Sequence, residues 1–242
     1  FILLLQGGAT YQNTFLPHNY GVDNKIDCLV TGEWSKKTFE DFVLIKDTEK
    51  ITLEDSKIEK FLTEDNSEYF KDTDYLHLTS NETINGIQIR DFNKINHPSL
   101  IVDMSSDLGS YKFDWENLKY IYAGAQKNMG PAGTTLVIVK DEILGRTGRK
   151  IPTMLDYNTH ISKDSMFNTP PVFSIYVSML TLQYVITCVG LRNGEERGHL
   201  IAQTDVSHPN ITSLPVCKAG YFITQHCTWQ RRTCNATHPY PW

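Results

Sequence analysis

Residues 120–139, with the sequence YIYAGAQKNMGPAGTTLVIV, combine two strand-like runs with a tight turn. The first run ends in the small residues AGA, the turn contains GPAG, and the second run is rich in β-branched residues, so the segment predicts strand, turn and strand. Lys127 lies where the first strand ends, among small residues that let a planar group approach the backbone. A lysine that loses solvation there has a lowered pKa and can attack an aldehyde, although a solvated turn lysine would have the same local sequence.

Asp103 stands near the end of a second apolar run, SLIVDM, at residues 99–104. In a parallel sheet the carboxyl ends of the strands share one edge, where ligands bind. An acid and a lysine at neighbouring strand ends suit pyridoxal phosphate, because the lysine attaches to the cofactor and the acid keeps the pyridine nitrogen protonated. Taken alone, Asp103 is equally compatible with capping a turn or a helix.

The composition bounds the class of protein. The chain has 242 residues with 40% hydrophobic content, enough for one large domain or one and a half. Its net charge of -5 favours no nucleic-acid partner, and the opening run FILLL is too short to span a membrane. The 5 cysteines show neither paired spacing nor a C-x-x-C motif, so we expect no disulfide framework, no metal site and a reducing compartment.

Three other predicted strands are followed by residues that suit a ligand. The sequence QGGAT at residues 6–10 would expose backbone N–H groups to a phosphate, or form a plain turn. Trp34 precedes Ser35, the predicted N-cap of a helix over residues 36–42, and its indole would stack on a cofactor ring or pack in the core. Thr83 lies in a loop, where its hydroxyl would bond a ring oxygen or cap a local turn.

A longer helix is predicted from residue 168 to about residue 186. Thr169 has the residue type of an N-cap, and Pro170 suits the first helical position. The helix carries apolar residues at helical spacing, which predicts a face packed into the core. These residues are Val172, Ile175, Met179 and Leu182.

At this point the motifs resemble a known family. The runs LLQGGAT, TGEWSKK, LTSNETINGIQI, IVDMSSD, IYAGAQKNMGPAGTTLVIV, PTMLDY and SMFNTPPVFSIY resemble the phosphoserine aminotransferases, which are class V pyridoxal-phosphate-dependent aminotransferases. The resemblance covers roughly residues 1–187. It implies the α/β large domain of pyridoxal phosphate fold type I, in which helices flank a mostly parallel sheet.

The resemblance implies a role for five residues around the cofactor ring and its phosphate. Lys127 would carry the cofactor, and Asp103 would pair with the pyridine nitrogen. Trp34 would stack on the ring, and Thr83 would bond its phenolic oxygen. Gln126 would help to hold the phosphate.

Four further residues are implied at the phosphate. Ala9 and Thr10 would hold it together with the glutamine. Asn168 and Thr169 would reach the phosphate bound by the neighbouring subunit, so the resemblance implies a homodimer. For Thr169 this role stands beside that of a helix cap.

The reaction implied by the resemblance is the transfer of the amino group of glutamate to 3-phosphohydroxypyruvate in L-serine biosynthesis, in the cytoplasm. Residues 1–202 would be a partial cofactor-binding large domain, shortened at its N-terminus. Residues 203–242 have no clear periodicity and would be an atypical, disordered tail in place of most of the small domain. Two alternatives stay open: another enzyme of this fold, such as a desulfurase, and a non-catalytic truncated paralogue or splice product that binds cofactor or dimerises without turnover.

Overall fold

A computed structural model of the chain describes residues 1–20, 25–45, 47–53, 55–70, 74–111, 113–144 and 150–184. The predicted tail at residues 203–242 and the last part of the predicted large domain lie outside these ranges. The division into two domains at residue 202 therefore stays a prediction.

The described residues form nine strands and five α-helices. The strands are β1 (Ile2–Gln6), β2 (Lys25–Val30), β3 (Asp47–Thr52), β4 (Tyr75–Thr79), β5 (Asn81–Glu82), β6 (Ile87–Gln88), β7 (Leu100–Asp103), β8 (Leu118–Gly124) and β9 (Thr134–Val139). The helices are α1 (Gln12–Asn19), α2 (Glu33–Phe42), α3 (Asp55–Thr63), α4 (Tyr157–Ile161) and α5 (Val172–Tyr184). None of the described helices is long and apolar enough to cross a membrane.

Seven of these strands form one sheet in the order β1-β9-β8-β7-β4-β2-β3, and β5 pairs with β6 in a separate ribbon. Strand β9 is antiparallel to both of its neighbours, β1 and β8. The other four neighbouring pairs are parallel. The predicted α/β fold with a mostly parallel sheet is confirmed, and the opening strand–turn–strand segment is the β8–β9 hairpin.

Helices cover both faces of the large sheet, so its central strands are apolar on both sides. Strand β7 shows the alternation, since Ile101 packs on one face, while Leu100 and Val102 pack on the other. On the first face the sheet meets α1 through Leu16, and on the second it meets α3 through Phe61. Two buried cores therefore fix the strand positions, and with them the edge where β4, β7 and β8 end.

Helix α5 departs from the prediction at its start and in its packing. It begins at Val172 and not after a cap at Thr169, because the helical i→i−4 hydrogen bond at its start runs from the Ile175 N–H to the Pro171 carbonyl. The predicted core face is also wrong, since Val172 is 66%, Met179 44% and Leu182 40% exposed.

The buried face of α5 consists of Ser174, Ser178 and Thr181. The reason is the close approach of the turn between β8 and β9, where an added Cβ on Gly130 would lie 2.8 Å from the Ser178 Oγ. The Ser174 hydroxyl donates to the Pro131 carbonyl at 3.1 Å. Only small side chains fit between a helix and a backbone turn at this distance.

Candidate active site

Asp103 ends strand β7, beside Thr79 of β4 and Tyr122 of β8 in the register of the sheet. Its Oδ1 accepts hydrogen bonds from the Ser105 backbone N–H at 2.8 Å and the Ser105 hydroxyl at 2.5 Å. Burial raises the pKa of the Asp103 carboxyl, while those two hydrogen bonds and the positive charge of Lys127 act in the opposite direction. Oδ2 has no hydrogen-bond partner among the residues that the structure describes, which leaves it available to a ligand.

Lys127 lies in the turn after β8, at the same edge of the sheet. The turn is closed by the N–H groups of Met129 and Gly130, which both bond the Ala125 carbonyl. Burial lowers the pKa of the Lys127 amine, and the negative charges of Asp103 and of two other carboxylates, Glu82 and Asp107, oppose this shift. A half-buried lysine of this kind is more readily neutral, and so more nucleophilic, than one in water.

Trp34 faces this lysine, with the Lys127 Nζ 5.1 Å from the centroid of the indole ring. It lies in the first turn of α2, which begins at Glu33 and not at the predicted position after Ser35. The residue is 37% exposed, and its Nε1–H donates to the Thr83 Oγ1 at 3.0 Å. Trp34 is therefore not a core residue: its ring lies at the sheet edge, and Thr83 is tied to it.

Gln126 precedes the lysine and folds back over the end of β8. A Cβ added to Gly124 would lie 2.5 Å from the Gln126 Oε1 and 2.9 Å from its Nε2, so the glutamine occupies the space that a side chain on Gly124 would take. The Gln126 Oε1 is buried and has no hydrogen-bond partner among the described residues. A buried amide oxygen without a partner costs free energy, and such groups are often completed by a ligand or water.

Ala9 and Thr10 lie near the same edge, in a short 3-10 turn directly before α1. The turn is anchored at Gly7, whose N–H bonds the Gly133 carbonyl at 3.0 Å and whose carbonyl accepts from the Thr135 hydroxyl at 3.0 Å. Since Gly7 has φ 102, it takes a backbone conformation that favours glycine. Strands β1 and β8 both end beside the start of β9, which brings the QGGAT loop close to the lysine turn.

Asn168 and Thr169 precede α5 on an irregular segment. The Asn168 side-chain amide donates to the Gln6 Oε1 at 2.6 Å, so it contacts the end of β1 in its own chain. Thr169 is exposed and does not cap the helix.

Two acidic residues of the site were missed by the sequence interpretation. Glu82 is buried and accepts a hydrogen bond from the Trp34 backbone N–H. Asp107 is buried beside Ser80, whose hydroxyl donates to it at 2.6 Å. Burial raises the pKa of the Asp107 carboxyl, and the hydrogen bond from Ser80 opposes the rise. Each has one weak signal in the sequence: Glu82 belongs to the NET triplet with Thr83, and Asp107 belongs to the SSD triplet that begins two residues after Asp103. In the described part of the chain no group of three or more His, Cys, Asp or Glu could hold a metal ion.

A fold of this kind, with a lysine and an acid at neighbouring strand ends, invites comparison with known proteins. The chain belongs to the aminotransferase class-V family, whose sequence profile matches residues 2–235.

The resemblance to phosphoserine aminotransferases is confirmed by individual relatives. The chain is 43% identical over 226 residues to the phosphoserine aminotransferase of Flavobacterium johnsoniae. This match covers 90% of this chain and 60% of the relative.

Solved structures of phosphoserine aminotransferases are also similar to this chain. A phosphoserine aminotransferase studied for radiation damage of its Schiff base has TM-score 0.69 and 40% identity, and the match covers 82% of this chain and 55% of that chain. The enzyme from Trichomonas vaginalis with PLP bound has TM-score 0.70 and 30% identity, covering 83% of this chain and 60% of that one. The chain therefore spans somewhat more than half the length of these relatives.

Proposed function

We propose that this chain is the cofactor-binding part of a pyridoxal-phosphate-dependent aminotransferase. The enzyme would transfer the amino group of glutamate to 3-phosphohydroxypyruvate, giving O-phosphoserine and 2-oxoglutarate in L-serine biosynthesis. The observation that carries the proposal is the arrangement of three side chains. Lys127 faces the Trp34 ring at 5.1 Å, and Asp103 ends the strand next to that of the lysine.

The residues of the site fit pyridoxal phosphate by three separate features. The half-exposed indole of Trp34 offers a flat surface for an aromatic ring. The Oδ2 of Asp103, which has no partner among the described residues, can accept a hydrogen bond from a protonated pyridine nitrogen. The Gln126 side-chain amide, whose Oε1 has no partner among the described residues, lies at the turn that faces the QGGAT loop, and its Nε2–H group could donate to a phosphate oxygen.

When bound, pyridoxal phosphate supplies an electron sink for the charge that forms at the substrate Cα. Lys127 would hold the cofactor through its Nζ, and the same amine would accept the proton from the substrate Cα. Burial favours the neutral amine that both tasks need. Asp103 would hold the ring nitrogen in its protonated form, because an ionised carboxylate beside it would stabilise that proton.

The remaining predicted residues would orient the cofactor. Trp34 would cover one face of the ring, and Thr83 would bond the phenolic oxygen while it holds the indole N–H. Gln126 and the N–H groups around Ala9 and Thr10 would hold the phosphate, as exposed backbone donors before a helix commonly do.

We also propose a cytoplasmic homodimer in which Asn168 and Thr169 reach the neighbouring site. The apolar residues of α5 directly after them are exposed, and exposed apolar patches of this kind are typical of protein interfaces. Cys28 is buried with a free thiol, in keeping with a reducing compartment.

The test is to incubate the purified chain with pyridoxal phosphate, glutamate and 3-phosphohydroxypyruvate, and to quantify both products by mass spectrometry. We expect phosphoserine and 2-oxoglutarate in equal amounts. A Lys127→Arg variant should form neither, because a guanidinium neither attaches the cofactor nor carries the proton. Product formation at the same rate in both proteins would contradict the proposal. Cofactor binding without product in either would favour the non-catalytic alternative, which the partial coverage of the relatives keeps open.

A further inference from the structure

Glu82 has no part in the cofactor roles given above, yet it is 0% exposed. Its Oε1 accepts from the Ser35 backbone N–H at 2.7 Å, and its Oε2 accepts from the Trp34 backbone N–H at 3.0 Å. Both oxygens of a buried carboxylate are thus committed to the first turn of α2. An acid is rarely buried so completely unless it is paired or hydrogen-bonded in this way.

Helix α2 depends on this carboxylate because its own N-cap is Gly32, which has no side chain to accept the free N–H groups of the first turn. The Ser35 hydroxyl accepts from the N–H groups of Thr31 and Gly32, so it serves the residues before the helix. The negative charge of Glu82 stands at the positive end of the helix. A side chain on Gly32 would displace it, since an added Cβ would lie 2.6 Å from the Glu82 Cδ.

The next residue, Thr83, holds the other end of the tryptophan. Its Oγ1 accepts from the indole Nε1–H at 3.0 Å, whereas Glu82 holds the Trp34 backbone N–H at 3.0 Å. Two successive residues of one short segment therefore fix both the main chain and the ring of Trp34. The ring in turn lies 5.1 Å from the Lys127 Nζ.

We propose that Glu82 is a positioning residue: its buried carboxylate caps α2 and so holds the Trp34 indole where it faces Lys127 and would stack on the cofactor ring. The inference deepens the proposed function and rests on it for the identity of the cofactor. The first part of the inference, that the Glu82 carboxylate fixes Trp34 through its backbone N–H, involves only residues of this chain and can be tested without the cofactor.

The test measures hydrogen exchange of the Trp34 indole N–H in the ¹⁵N-labelled chain without cofactor. The Trp34 signal is assigned with a Trp34→Phe variant among the 4 tryptophans of the sequence. In Glu82→Gln we expect exchange at Trp34 to be faster by about tenfold or more, as for loss of a charge-assisted hydrogen bond. The Trp115 signal should stay in place, which separates a local release from general unfolding.

The second measurement is a titration of the same proteins with pyridoxal phosphate. Glu82→Gln should bind it about tenfold more weakly, in step with the faster indole exchange. Gly32→Ala provides an independent variant that keeps every charge and displaces the carboxylate sterically, so it decides the matter should Glu82→Gln not fold.

The matched control is Asp156→Asn, which weakens a carboxylate cap at another helix, where Asp156 Oδ1 accepts from the Asn158 N–H at 2.9 Å. It should leave indole exchange and cofactor affinity at wild-type values. Wild-type indole exchange in both Glu82→Gln and Gly32→Ala would overturn the inference. If the wild-type chain itself binds no pyridoxal phosphate, the proposed function fails, and the exchange data alone still support or overturn the hold of Glu82 on Trp34.

Discussion

Replacing Gly124 by alanine should separate cofactor binding from stability. The added Cβ would lie 2.5 Å from the Gln126 Oε1, a separation that real Cβ atoms do not adopt, so the amide must move. Gly124 is not among the glycines with positive φ, and its backbone therefore accepts alanine without strain. The clash falls on the far end of a flexible side chain, which can swing away at little cost to the fold.

The expected effects of Gly124→Ala on cofactor affinity and on stability differ in sign. A hydrogen bond to a charged partner contributes roughly 1.5–3 kcal/mol, so loss of the Gln126 contact with the cofactor phosphate should weaken binding by about 10- to 150-fold. Glycine-to-alanine changes at compatible backbone positions stabilise a protein by about 0.4–1 kcal/mol through the unfolded state. Gly124→Ala should therefore bind the cofactor worse while unfolding at an equal or higher urea concentration.

The assay is a titration with pyridoxal phosphate followed by tryptophan fluorescence, beside urea unfolding of the same samples. Gln126→Ala should weaken binding by the same factor, and the double variant should be no weaker than either single variant, because both remove one contact. Wild-type affinity in Gly124→Ala, or losses that multiply in the double variant, would contradict the assignment of Gln126 to the phosphate.

Two further predictions concern stability. Gly130→Ala should destabilise the chain by about 1–3 kcal/mol, because the residue has φ 156 and its Cβ would lie 2.8 Å from the Ser178 Oγ. In urea unfolding Gly8→Ala, where no atom lies within 4 Å of the added Cβ, serves as the control and should be near neutral. Burial lowers the pKa of His77 to about 3, and its Nε2 meets the Tyr122 hydroxyl at 3.0 Å. The unfolded chain, with a histidine pKa of about 6.5, binds this proton first as the pH falls, so stability should drop by about 1.4 kcal/mol per pH unit below that value. Chemical unfolding at pH values between about 3 and 6.5 should show that the free energy of unfolding falls less steeply for His77→Gln than for the wild-type chain. An equal fall in both proteins would contradict the burial of a neutral imidazole.

The sequence was most informative where local chemistry decides the structure. The apolar runs before Asp103 and Lys127 predicted strands, and the small residues around the lysine predicted a tight turn. Both strands are present, and they are neighbours in the sheet. The parallel order then puts both ends at one edge, which is a property of the fold class and not of either segment.

The sequence was least informative where distant segments meet. Helix α2 starts before the predicted cap because Glu82, which follows 47 positions after Ser35, supplies the acceptor from another part of the chain. Helix α5 buries its serines and exposes its apolar residues because the glycine turn at residues 130–133 approaches it closely. Helical periodicity shows which residues share a face, but it does not show which face another backbone will meet.

The central claim is that Lys127 is the lysine that attaches pyridoxal phosphate. The most direct measurement is borohydride reduction of the loaded chain, followed by digestion and mass spectrometry to find the modified lysine. Lys37 is the natural competitor, since its Nζ lies 4.8 Å from the centroid of the same Trp34 ring, near the 5.1 Å of Lys127. We expect the reduced pyridoxyl group on Lys127, and no labelling above background in Lys127→Arg. A label on Lys37 or another lysine, or one that persists in Lys127→Arg, would contradict the claim.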